Sequence, residues 1–423
     1  MTGLAAPSHY RPAFEDSAQL DAEDGLAHLR ERFFLPADTV YLDGNSLGAM
    51  PRAVPAAVDE LIRRQWGEDL IASWNTHDWI RLPQQVGEAI APLIGATPGQ
   101  VLCVDSISVN LFKLLAAALE LRPGRRVILL AEGDFPTDGY VASGLARLLG
   151  EERCQLRRVR AEQLGDALDG DVAALLLTEV NYRSGEPFDM RRLTAAAHEA
   201  GALAVWDLAH SAGAMPVSLD ASGADMAVGC GYKFFNGGPG APGFVYVAEH
   251  HQQAAQSPLA GWLGHRQPFA FEPDYVSARG VSRFQAGTPP VLSMAALRAA
   301  LRVFEDVSVT DLRRKSLALT DHFLACLERE ALLPDVFELA TPRSPERRGS
   351  QISLRHPEAW GVSQALIERR VVVDFRAPDI VRFGFAPLYN RFDDARRAAA
   401  TLATILRDGA QRDARFAARP TVT

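Results

Sequence analysis

The run VAALLLTEVNY, residues 172–182, opens with six consecutive apolar residues and no polar alternation. A strand with one face in water alternates, because successive side chains point to opposite faces. A strand without alternation is covered on both faces, which is the habit of parallel sheets sandwiched between helices. Six further runs lie between residues 101 and 247: VLCV from 101, RRVILL from 125, CQLRRVR from 154, ALAVWD from 202, ADMAVG from 224 and GFVYV from 243. Segments with apolar residues at helical spacing separate several of them, including SVNLFKLLAAALEL, TDGYVASGLARLLG and DMRRLTAAAHEAG. Strand-helix alternation implies right-handed crossovers and an α/β fold, here a mostly parallel seven-stranded sheet covered by helices.

The pattern changes after about residue 290. LSMAALRAALRVFEDV and VTDLRRKSLALTDHFLACLERE read as long amphipathic helices. GSQISLRH, RRVVVDFRAPDIVRFGFAPLYN and the helix RFDDARRAAATLATILRDG read as a smaller α+β domain, followed by a tail expected to fray. The expected division is residues 1–75 as an N-terminal arm and helices joining the small domain, 76–290 as the large domain, and 291–423 as the small C-terminal domain.

With 423 residues the chain can bury more than one core. A net charge of -8 argues against a nucleic-acid partner, which needs a basic face. No run of about 18 apolar residues suggests a membrane span, and MTGLAAPSHYRPAFEDS lacks the basic-then-apolar order of a secretory signal. A cytoplasmic location is therefore expected. Cys103, Cys154, Cys230 and Cys326 are too scattered for a metal motif, and the pair His250-His251 has no second ligand cluster in sequence, so no metal is expected.

In such sheets ligands sit beyond the carboxyl ends of the strands. Lysine is rare here, occurring only at Lys113, Lys233 and Lys315 among many arginines. Lys113 reads as a snorkelling helix residue and Lys315 as part of a solvated helix face. Lys233 differs: it ends a strand and precedes FFNGGPGAPG, where glycines admit a bulky ligand. A lysine amine can form an imine with an aldehyde. Asp207 ends the run ALAVWD, where a buried carboxylate needs either a cation, such as a protonated pyridine nitrogen, or a helix-capping role. Ser106, Ile107 and Ser108 open a helix whose free N–H groups suit a phosphate. Phe135 could stack on a ring, with Asp138 close by.

WDLAHSAGAMPV and CGYKFFNGGPGAPGFVYV together resemble the pyridoxal-phosphate enzymes of the aspartate-aminotransferase fold (fold type I), class V branch. YLDGNSLGAMP, SVNLFKLL, DFPTDGY, GWLGH, GTPP and VRFGFAPLYN are similar to landmarks of the kynureninase family, from about Tyr41 to Asn390. The resemblance implies that Lys233 carries the cofactor, pyridoxal 5'-phosphate, within the large domain, and that Asp207 pairs with its ring nitrogen beside Asp138. It implies that Phe135 stacks on the ring, and that Ile107, Ser108, Thr178, His210 and Tyr232 line the cofactor and its phosphate. Trp262 and Thr288 would reach the phosphate from a second subunit, implying a homodimer. Arg382, otherwise readable as one more surface arginine, would clamp the substrate's α-carboxylate. The implied catalytic group is Lys233, Asp207 and Tyr232, with Tyr232 a proton donor. The implied reaction is hydrolytic Cβ–Cγ cleavage of L-kynurenine to anthranilate and L-alanine, with 3-hydroxykynurenine a weaker substrate because Thr288 is not an amide. SWNTHDW, residues 73–79, is the expected wall of the aryl pocket. Of the alternatives on the same fold, a cysteine desulfurase or selenocysteine lyase would need a nucleophilic cysteine on a loop, and Cys326 falls on a helix face.

Overall fold

The structure, a computed structural model, describes residues 16–419. Residues 1–15, the start of the expected N-terminal arm, and the last four residues of the tail lie outside it. The seven runs form one sheet: β1 (Val101–Cys103), β2 (Val127–Ala131), β3 (Gln155–Val159), β4 (Val172–Thr178), β5 (Leu203–Asp207), β6 (Met226–Cys230) and β7 (Gly243–Val247). Their spatial order is β1-β7-β6-β5-β4-β2-β3, and β7 alone runs antiparallel to its neighbours. Every residue of β4, β5, β6 and β7 is buried, as unbroken apolar runs require. At the edge, β3 is only half-buried and carries Arg157 and Arg158, charges that discourage pairing with another chain.

Helices α1 (Ala53–Glu60), α2 (Leu82–Ile90), α3 (Ile107–Leu121), α4 (Pro136–Leu149), α5 (Met190–Glu199) and α6 (Val291–Leu301) accompany this sheet. The second unit has an antiparallel four-stranded sheet of β8 (Glu338–Leu339), β9 (Gln351–Arg355), β10 (Asp374–Arg376) and β11 (Ile380–Gly384), ordered β8-β9-β11-β10. It packs with α7 (Val309–Arg329), α8 (Ala359–Glu368) and α9 (Phe392–Asp408).

The two cores interleave along the chain. Leu20, Val40 and Leu42 join the small core, and a parallel pairing of Val40–Tyr41 with Val371–Val372 fixes that strand in place. Leu29, Phe33 and Ala49 join the large core instead. The helix that starts the expected small domain, α6, buries Met294, Leu297 and Leu301 in the large core. The change of core falls inside α7, between Leu312 and Leu319. The tail is tied down through Ala417: Trp360 Nε1 donates to the Phe416 carbonyl at 2.7 Å, and Arg412 pairs with Glu358 at 2.8 Å. It therefore does not fray over this stretch.

Both lysines given ordinary surface explanations are buried. Lys113 is fully enclosed, and its Nζ donates to Asp105 Oδ2 at 2.8 Å and to the Phe284 carbonyl at 2.7 Å. Lys315 faces Asp24 at 2.7 Å, with both side chains 6% exposed. Helical spacing showed the apolar face of each helix but not the partner arriving from elsewhere in the chain. An ion pair with this little water does not tolerate loss of one member, which strands the other charge. Lys315→Ala is expected to lower unfolding stability by about 3 kcal/mol in urea titrations, with part restored in the Lys315→Ala/Asp24→Ala double variant. Additive losses in the double variant would show that the pair does not act as a unit.

Candidate active site

The carboxyl ends of β1, β2, β4, β5 and β6 meet at one edge of the sheet, and a cavity of about 190 Å³ opens there. Ile107, Ser108, Phe135, Asp207, His210, Tyr232 and Lys233 line it. Ser106 caps α3, its hydroxyl accepting from Val109 N at 3.4 Å and its carbonyl from Asn110 N at 2.9 Å. The first helical N–H groups, those of Ile107 and Ser108, have no intrahelical acceptor to bond, and both residues line the cavity. Gly243 starts β7 beside them. A Cβ there would lie 2.9 Å from the Gly229 carbonyl and 3.1 Å from Ile107 N, so only glycine leaves room for the helix start.

Lys233 is 9% exposed, and its Nζ lies 3.0 Å from His210 Nε2. Burial holds His210 well below the usual imidazole range. Burial also lowers Lys233, with the Arg382 and Arg376 guanidinium charges acting in the same direction. No carboxylate forms a salt bridge with Lys233 among the described residues, whereas Lys113 and Lys315 each have one. The Phe135 and Tyr232 ring centroids both lie 5.9 Å from Nζ.

Opposite the amine lies a buried carboxylate patch. Asp207 is 1% exposed and its Oδ1 accepts from Ala209 N at 2.7 Å, a turn bond and not a helix cap, since the next helix starts at Leu219. Burial raises Asp207, against the pull of Lys233. Asp138 accepts from Thr178 Oγ1 at 3.4 Å, while Asp134 accepts from the Thr178 backbone N–H at 3.3 Å. Burial pushes Asp138 well up and Asp134 up to about 7. One oxygen of each, Oδ1, has no partner among the described residues.

Arg382 is fully buried on β11, opposite Asp374 of β10 in register. Its Nε donates to Asp374 Oδ1 at 2.7 Å and its Nη2 to Asp374 Oδ2, while Nη1 donates to the Tyr182 carbonyl at 2.7 Å and Nη2 to Ser46 Oγ at 3.1 Å. Four of the five guanidinium N–H groups are thus used, which leaves one on Nη1 to meet an incoming carboxylate. Burial alone would raise Asp374, but Arg382 and Arg376 hold it below the ordinary carboxylate range.

Trp262 and Thr288 are exposed and do not line this cavity. His77 of the SWNTHDW segment bonds Asp69 at 2.6 Å. Cys326 is buried in the small core, 3.6 Å from His322, with burial raising its thiol. Four residues escaped sequence reading. Asp134 and Thr137 were within the quoted DFPTDGY but lacked a distinguishing spacing. Arg376, two residues along β10 from Asp374, lies 2.8 Å from its Oδ2, while Ser46 reaches the same oxygen only through tertiary structure, donating to it at 2.6 Å.

The family model for the kynureninase C-terminal domain matches residues 312–402. A curated kynureninase of Burkholderia pseudomallei (strain 1106a) is 50% identical over 414 residues, covering 97% of this chain and 99% of that protein. A kynureninase of Deinococcus radiodurans is 53% identical over 392 residues, covering 92% and 95%. The chain belongs to the kynureninase family. Among solved structures, an apo cysteine desulfurase from Thermococcus onnurineus NA1 superposes with a TM-score of 0.74 at 19% identity, covering 90% of this chain and 98% of that one. A C-DES variant with glycine covalently linked to its PLP cofactor gives 0.76 at 18%, covering 88% and 98%. These structures share the fold. Family membership, with Cys326 enclosed in the small core, favours the kynureninase reading over the desulfurase one.

Glu179, just behind Thr178, offers a pH test of the burial that raises the site's acids. Burial lifts its carboxyl from 4.5 to about 7, partly opposed by Ser211, and Oε2 has no partner among the described residues. The folded state therefore holds this proton more tightly than the unfolded chain. The associated stability is fully present below about pH 4.5 and is lost as pH rises through about 7. Glu179→Gln cannot ionise, so its stability relative to the wild type should grow from pH 5 to pH 8.5 by up to about 3 kcal/mol. Urea midpoints at the two pH values check this, and a gap that does not widen would contradict it.

Proposed function

We propose that this kynureninase-family chain uses pyridoxal 5'-phosphate to hydrolyse the Cβ–Cγ bond of L-kynurenine, taking up one water and giving anthranilate and L-alanine. The observation that carries the reading is Lys233, the one lysine held against a neutral imidazole rather than a carboxylate, at the mouth of a helix-start anion site. The site's chemistry fits the cofactor. Unpartnered oxygens on Asp134 and Asp138 beside buried Asp207 suit a cationic ring nitrogen, and the start of α3 suits a phosphate. When bound, pyridoxal phosphate supplies an aldehyde for imine formation and an electron-withdrawing ring.

The chain's own groups do the rest. Asp207, with Asp138 near it, would keep a proton on the ring nitrogen. Ile107 and Ser108 would hold the phosphate, together with Tyr232. Phe135 would cover the ring, with Thr178 and His210 bordering it. Lys233, lowered in basicity by burial, takes the substrate's Cα proton with its Nζ. Arg382, oriented by Asp374, meets the α-carboxylate through its remaining Nη1 N–H. Tyr232, whose phenol burial holds in the protonated form, donates a proton to the β-carbon after cleavage.

The same reading makes the enzyme a cytoplasmic homodimer of tryptophan degradation, with Trp262 and Thr288 completing the phosphate site of the other subunit. Their exposure on this chain supports that role. No helix among the described residues is long and apolar enough to cross a membrane.

The decisive experiment adds L-kynurenine to cofactor-loaded protein and measures anthranilate and alanine. Equal amounts of both are expected. A yellow protein that binds kynurenine and forms neither would refute the activity. Borohydride should fix the cofactor on Lys233. Tyr232→Phe should lower kcat by about 10²–10⁴-fold while leaving the cofactor's absorbance in place, and unchanged turnover would remove Tyr232 from the reaction. Thr288→Asn should raise the ratio of kcat/KM for 3-hydroxykynurenine over kynurenine. An unaltered ratio would take position 288 out of substrate choice.

A further inference from the structure

At the opposite edge of the sheet, where β5 and β6 begin and β7 ends, a second polar cluster forms around Asp225. This carboxylate is 2% exposed. The short helix Glu249–Gln252 follows β7 and brings His250 and His251 to it. His251 Nε2 lies 2.6 Å from Asp225 Oδ1, and His250 Nε2 lies 3.8 Å from the same oxygen. The two imidazole centroids are 4.0 Å apart, and the ligand atoms of the three residues all lie within 4.8 Å of one another. Asp225 Oδ2 accepts from His198 Nε2, on α5, at 2.7 Å and from Ala204 N at 2.8 Å. The pair His250-His251, taken from sequence as lacking further ligands, thus acquires a buried carboxylate and a third imidazole from 25 and 52 residues upstream of His250.

We propose that Asp225, His250 and His251 form a binding site for a divalent transition-metal ion, zinc foremost, with His198 as the positioning residue that aims the carboxylate. Two imidazoles and one carboxylate are a zinc donor set. Bonds of about 2.0–2.2 Å in tetrahedral geometry place ligand atoms about 3.4 Å apart. The observed separations of 2.6 and 3.8 Å bracket that value, so side-chain shifts of under about 1 Å would complete the site. The Oδ2 contacts supply the outer hydrogen bonds that ligating carboxylates use, which leaves Oδ1 for the ion. His250 is 67% exposed and provides the way in. An ion here would tie the helix after β7 to the start of β6 and, through His198, to α5. It would stabilise the large domain at the edge away from Lys233.

Untagged, cofactor-loaded enzyme, stripped with a chelator and dialysed, tests this by zinc titration calorimetry, with cobalt absorbance reporting tetrahedral coordination. One zinc per chain with a Kd of about 10 µM or tighter is expected, with a thermal midpoint raised by about 2–4 °C at saturation. His250→Ala, an exposed position, should abolish binding, and His198→Ala should weaken it about 10-fold or more. Both variants should keep the wild-type kcat. A wild type that binds no zinc at 100 Kd of the expected value, or a His250→Ala variant that binds it undiminished, would overturn the site.

Discussion

Burial of carboxylates at the end of β5 and just past β2 is the constraint around which the active site is arranged. Asp134, Asp138 and Asp207 lie together where water is excluded, and two of them keep an oxygen without a partner. Such a patch is costly unless protonation or a cation relieves it. Lys233 supplies part of the relief, since its charge pulls Asp207 down against burial. The same burial lowers Lys233 itself and keeps His210 neutral. One enclosure therefore produces a more readily deprotonated amine, an unprotonated imidazole and acids ready to hold a ring proton.

The backbone around the amine is fixed from both sides. Gly48 of the YLDGNSLGAMP segment donates its N–H to the Tyr232 carbonyl at 2.8 Å, and a Cβ at Gly48 would come within 2.2 Å of the Lys233 carbonyl. The N-terminal segment thus lies directly on the strand end that carries the lysine. That close approach gives a physical reason for glycine at 48, which in sequence was only a landmark after a short apolar run.

Local signals were legible and tertiary partners were not. Unbroken apolar runs gave the strands and the parallel sheet, because burial on both faces leaves its mark residue by residue. Strand ends then gave most of the cavity wall, from Ile107 to Lys233, since topology alone brings carboxyl ends to one edge. Lys113 and Lys315 were misjudged because an ion pair with Asp105 or Asp24 has no periodic signature. For the same reason Asp225 and His198 were invisible beside His250-His251. The position of α6 was also hidden: its amphipathic pattern shows that one face is buried, not which core receives it.

Arg382 shows what this interleaving means for function. Its guanidinium is held by Asp374 of the small sheet, Tyr182 of the large unit and Ser46 of the N-terminal segment. Lys233 is held by the large unit, with Gly48 pressed on its backbone. The separation between the amine and the arginine is therefore set by how the small core packs on the large one, through α7 and the N-terminal segment that visits both cores. A ligand that touches both groups gains affinity only when that packing is native. Binding at Arg382 and registration of the two units are then linked equilibria, and a ligand spanning both would favour the arrangement in which Asp374, Ser46 and Tyr182 all engage the guanidinium.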